Sequence, residues 1–139
     1  MRITYAEIEL VRADDLALVR AGYLAEDQVN RITVTAMVDS GATMLSIPKS
    51  LGECLNLARL DSLEAELADG STIQADVVGP IEIRFKNRKT IANALLMPDN
   101  TDILLGAIPM QGMDVLIDPK REQLIVNPES PDHARMLLK

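Results

Sequence analysis

Between Arg31 and Val38 the chain alternates strictly, with Ile32, Val34, Ala36 and Val38 on one face and Thr33, Thr35 and Met37 on the other. That two-residue period is the mark of a half-buried β-strand. An earlier strand is expected from about Arg2 to Val11, and ADDLALVRAG behind it reads as a short helix, with Asp14 and Asp15 near its start and Gly22 after its end. Past residue 41, IPKSLGECLNL reads as a second short helix, because Pro48 suits a first turn and Leu51 and Leu55 lie four apart on one face. LEAELADGSTIQADVV splits into two runs joined at Asp69-Gly70, a dipeptide suited to hairpin turns since glycine accepts positive φ. PIEIRF (80–85) and TIANALLM (90–97) flank the charged turn KNRK as a second hairpin, and PDN (98–100) breaks the chain before TDILLG. Residues 107–113 read as a helical turn, VLID (115–118) and QLIV (123–126) bracket the turn PKRE, and Pro128 ends regular structure ahead of the polar tail ESPDHARMLLK. Short strands at close spacing predict a small all-β barrel or sandwich with one or two short helices.

A length of 139 residues fits a single domain over residues 1–139, and 47% apolar against 25% charged residues describes a self-sufficient globular core. No apolar run approaches the roughly 20 residues that a bilayer span needs. The opening MRITYAEIEL carries Arg2, Glu7 and Glu9 where a signal peptide needs an unbroken apolar segment, so the expected location is cytoplasmic. Fourteen basic and twenty-one acidic residues give a net charge of −7, which opposes phosphate backbones and anionic lipid alike. Tyr5, Tyr23 and Phe85 are the only aromatic residues, which leaves little on which to stack bases. Neither nucleic acid nor membrane is therefore expected as a partner.

A single cysteine, Cys54, excludes an intrachain disulfide, and a single histidine, His133, leaves no Cys/His set for zinc. Cys54 is expected as a small buried residue on the second helix, and Met97, Met110 and Met113 as core fillers. Asp61, Glu64, Glu66 and Asp69 read as a solvated face without calcium-loop spacing, and His133 as a solvated tail residue.

The clearest strand runs straight into VDSGAT (38–43), placing an ionisable Asp39 at its end, followed by the hydroxyl of Ser40 and the small Gly41. In such a turn backbone N–H groups can point at the carboxylate and hold it rigid. Asp-Ser-Gly by itself also occurs in ordinary turns.

Three pieces in order carry more information: an apolar strand into Val38-Asp39-Ser40-Gly41-Ala42, then the Asp69-Gly70 hairpin, then Ile103-Leu104-Leu105-Gly106 ahead of a short helix. This arrangement resembles the retropepsin-like aspartic proteases, most closely the bacterial single-domain members, over a core of about residues 31–127. The resemblance implies a mostly β, closed acid-protease barrel with short helices and an active site formed at a homodimer interface. It implies an aspartic endopeptidase acting on peptide or protein substrates without metal or cofactor, with Asp39 of each subunit as the catalytic residue. Two carboxylates about 3 Å apart cannot easily both ionise, so such a pair holds one proton between them. Ser40 would bond across the two-fold axis, Gly41 would let the backbone approach the carboxylate, and Ala42 would complete the turn. Lacking a hydroxyl, Ala42 implies a site that works closer to neutral pH. Leu104, Leu105 and Gly106 would pack beneath the turn, and the hairpin tip at Asp69, Gly70 and Ser71 would be a flap closing over an extended peptide. Ala107-Ile108-Pro109 departs from the polar residues that many relatives carry there, and some thirty residues precede the first matching strand. Two other readings stand beside this one: a catalytically silent binding or scaffolding module on the same fold, and an unrelated small β-barrel.

Overall fold

The computed structural model describes residues 3–136 and 138, so Arg2, where the first strand was expected to begin, and Leu137 and Lys139 of the tail lie outside it. Strand β1 (Thr4–Arg12) alternates buried and exposed positions at first and buries both Leu10 and Val11 near its end. Helix α1 (Ala13–Arg20) follows directly, with Asp14 and Asp15 in its first turn and Arg20 in its last, the order that the helix dipole favours. Asp15 is buried, and Arg12 donates to its Oδ1 at 2.5 Å while the backbone N–H and Nδ2 of Asn30 each donate to Oδ2 at 2.8 Å. Burial works to raise the pKa of Asp15, but the hydrogen bonds from Asn30 and Arg12 outweigh it and hold the carboxyl below its ordinary range.

Strand β2 (Arg31–Val38) shows the expected alternation, with its even-numbered apolar residues turned inward. The next element departs from the sequence expectation: Leu45–Pro48 is a strand, β3, and helix α2 occupies only Lys49–Cys54. Leu45, Ser46 and Ile47 are all buried because β3 runs through the interior, paired with neighbours on both sides. Cys54 is exposed, contrary to expectation. Helix α2 turns Gly52 against Leu96 and leads Leu55 into the core, which leaves its last residue pointing outward.

Strand β4 (Ala58–Glu66) and the 14-residue β5 (Thr72–Phe85) form the hairpin expected at Asp69-Gly70, where Gly70 has φ +86°. Instead of ending at Gly79-Pro80, β5 passes through it with a register shift between Val78 and Ile81. A β-carbon on Gly79 would lie 2.6 Å from the Asn93 side chain, so the strand bends where it has no side chain of its own. Strand β6 (Arg88–Met97) completes the second hairpin. Then come the two-residue β7 (Leu104–Leu105), helix α3 (Ala107–Met113), and the hairpin of β8 (Val115–Asp118) and β9 (Gln123–Val126).

The main sheet runs β1-β2-β7-β3-β6-β5-β4, and an additional β1–β5 pairing closes all but β4 into a ring. Glu9 and Arg84 face each other in that closing register, and Arg84 donates to Glu9 at 3.1 Å and to Glu82 at 2.6 Å. Ile8, Leu10, Leu45, Ile47, Ile81, Ile83 and Leu105 fill the interior of the ring. The protein is thus mostly β with short helices, and the residues ahead of position 31 belong to the barrel, because β1 supplies the closing strand. The tail folds back on the body: Ser130 Oγ, Asn127 Nδ2 and the Arg135 backbone N–H donate to the Asp114 carboxylate, and Arg88 donates to the Ser130 carbonyl. Among the described residues, no helix is long and apolar enough to cross a membrane.

Candidate active site

A parallel pairing that no local pattern announces positions Asp39. β7 lies beside the end of β2, with Met37 opposite Leu104 and Val38 opposite Leu105, and on its other side Leu104 pairs with Ser46 of β3. The Met37 N–H donates to the Ile103 carbonyl at 2.8 Å and the Asp39 N–H to the Leu105 carbonyl at 3.0 Å, so the ladder continues up to the acidic residue itself. Leu105 is fully buried below this point.

The turn then closes on the carboxylate. Gly41 N–H donates to Asp39 Oδ1 at 2.9 Å, and Ala42 N–H donates to the Asp39 carbonyl at 3.1 Å. Asp39 is half-buried, whereas Ser40 and Gly41 are exposed. A second layer clamps the turn from behind, where Ala107 and Ile108 at the start of α3 donate to the carbonyls of Ala42 and Thr43 at 2.8 and 3.1 Å. Gly106 makes this contact possible, since any β-carbon there would fall within 2.8 Å of the Ala42 and Met44 carbonyl oxygens.

In front of Asp39 lies a cleft of about 620 Å³. Gly41, Ala42, Thr43 and Met44 form its floor beside Asp39, and Leu95, Met97 and Leu104 supply an apolar wall. The end of β4 and the residues just after it, 63–68, line the cleft as well. Three carboxylates, Asp39, Glu64 and Glu66, border the cleft, and among the described residues no lysine or arginine does.

The structure brings Asp39, Gly41, Ala42 and Leu104 together at the cleft, with Leu105 and Gly106 directly behind them. Ser40 stands on the exposed outer side of the turn. Asp69, Gly70 and Ser71 form the tip of the hairpin beyond the cleft wall, where Asp69 Oδ1 accepts from Ser71 N–H at 2.9 Å and Ser71 Oγ at 2.5 Å. The Ser71 hydroxyl, helped by its backbone N–H, holds the Asp69 carboxyl below its ordinary pKa. These bonds, with Leu67 N–H to the Ser71 carbonyl at 2.8 Å, make the tip a self-contained turn. Sequence reasoning passed over Met44, Ser46 and Leu95, placed Met97 in the core, and missed the wall supplied by β4. Its signal was present in the apolar-acidic alternation of LEAEL beside a hairpin turn. Among the described residues, no three or more His, Cys, Asp or Glu side chains converge as a metal-binding set would.

A mostly β chain with ring-like strand pairing, and an aspartate on a carboxylate-capping turn beside a cleft, is consistent with the retropepsin fold. A family model described as gag-polyprotein putative aspartyl protease matches residues 25–116, and the chain belongs to this retropepsin-like aspartyl protease family. No curated protein matches the chain.

Proposed function

We propose that the protein is an aspartic endopeptidase whose active site is completed by a second copy of the chain, each copy contributing one Asp39. The observation that carries this reading is the Asp39 turn: a half-buried carboxylate fixed by the Gly41 N–H at 2.9 Å, at the floor of a cleft of about 620 Å³. One such carboxylate can either take a proton from water or donate one to a carbonyl, and peptide hydrolysis needs both at once. The exposed Ser40 and Gly41 leave the outer side of the turn open to a two-fold partner. In the pair, the ionised Asp39 removes a proton from the attacking water while the protonated Asp39 polarises the scissile carbonyl. The developing amine then takes its proton from the same pair.

Cleavage of an unbiased peptide library by the protein and by Asp39→Asn, from acid to neutral pH, tests the reading. Expected are cuts by the first, none by the second, and an optimum nearer neutrality because Ala42 carries no hydroxyl. Equal cleavage by both would refute it. Dimers that bind peptides without cutting them would point instead to a silent binding module.

A further inference from the structure

Residues 63–68 line the cleft consecutively. A strand that turned one face to a cavity would show only alternate residues, because successive side chains point to opposite sides. Consecutive lining by residues 63–66 of β4, with residues 67–68 just past its end, therefore means that the cleft meets the edge of β4. That edge is free, since β4 ends the sheet order and pairs only with β5. It offers unpaired backbone donors and acceptors to an extended peptide entering the cleft.

The two faces flanking this edge differ in chemistry. Leu63, Ala65 and Leu67 are half-buried on the side turned towards the protein, whereas Glu64 and Glu66 are exposed on the other. Across the ladder, Glu64 faces Gln74 and Glu66 faces Thr72, so no cation on β5 neutralises either one. Neither glutamate has a hydrogen bond or ion pair among the described residues. A strand added along this edge would keep the two-residue period of β4. Its inward side chains would meet Leu63, Leu95, Met97 and Leu104, and its outward ones, two residues apart, would meet Glu64 and Glu66.

We propose that Glu64 and Glu66 set the substrate class of this cleft: extended segments in which apolar side chains alternate with lysine or arginine. The assignment rests on the peptide-cleft reading above and adds the charge requirement to it. The formal charge of −7 on the chain steers such segments in the same direction.

The test measures binding without cleavage, so that it stands apart from the catalytic reading. Asp39→Asn protein is titrated with labelled heptapeptides that alternate valine with lysine, glutamine or glutamate, at low and high salt. The lysine peptide should bind about fivefold to tenfold more tightly than the glutamine one, and the difference should narrow at high salt. In Glu64→Gln/Glu66→Gln the preference should vanish, and in Glu64→Lys/Glu66→Lys it should invert towards the glutamate peptide. Equal binding of the three peptides, no binding of any, or a lysine preference that survives the double substitution would each overturn the proposal. If the preference and its inversion hold while the wild-type protein cuts no member of the unbiased library, the charge assignment stands and the protease reading falls.

Discussion

A β-carbon on Gly106 would stand 2.4 Å from the carbonyl oxygen of Met44. Backbone meets backbone there, and no side-chain rotation relieves the clash. The close approach is also what lets Ala107 and Ile108 reach the carbonyls of Ala42 and Thr43.

Gly106→Ala should therefore damage stability and site together. Overpacking of this kind costs about 1–3 kcal/mol, lowering the melting temperature by roughly 5–15 °C. Calorimetry alongside a peptidase assay checks it, and an unchanged melting temperature would show that the clamp is dispensable.

Gly41→Ala separates the two effects. Its β-carbon would lie 3.1 Å from Asp39 Oδ1, so the carboxylate must shift by a few tenths of an ångström while the exposed turn keeps its backbone. The expected result is a loss of kcat of about tenfold or more at nearly constant melting temperature.

Acid should loosen the tail before it opens the barrel. Hydrogen bonds from Ser130, then Asn127 and the Arg135 N–H, lower the Asp114 pKa to about 2. An unfolded aspartate titrates near ~3.9, so the ionised form favours the folded state. That stability is complete above about pH 5 and is lost as pH falls through the range towards 2. Asp114→Asn should melt a few degrees below the parent at neutral pH, with the gap closing towards pH 2. A gap that stays constant down the titration would contradict the assignment. Asp15, also depressed, adds to the same acid limb.

Cys54 should react as an open thiol. Exposed at the end of α2, it is expected to titrate completely with an aromatic disulfide reagent in the native protein. Cys54→Ser should leave stability within about 0.5 kcal/mol. Reaction only after denaturation would contradict the exposed placement.

Local chemistry made much of this protein legible. The period-two run from Ile32 to Val38, the Asp-Gly turn, the β8–β9 hairpin and the Asp39 turn all depend on neighbours in sequence, and each appears where its pattern pointed. Long-range pairing left no such trace. Leu104 and Leu105 are only two residues of strand, and their parallel seat beside β2 arises from the barrel as a whole. Ile47 and Pro48 looked like a helix entry because Pro48 suits a first turn, but the buried side chains and two strand neighbours of Leu45–Pro48 made it β. Cys54 was misjudged because six helical residues present too short a stripe to reveal which side faces inward. The cleft wall escaped notice because a free strand edge is a property of the sheet order, and Glu64 and Glu66 are solvated whether or not a ligand lies beside them.

The segment matched by the family begins at residue 25, yet the strand that closes the ring ends at Arg12. A fragment cut to the matched boundaries would lack Ile8, Leu10 and Val11 from its core. It would also strip the partner from β2 and from the last residues of β5, turning a seamless ring into an open sheet with two raw margins. Such margins recruit other chains. The shortened protein would be a seed for clumping rather than a minimal folded core, so strand β1 acts as this barrel's safeguard against its own copies.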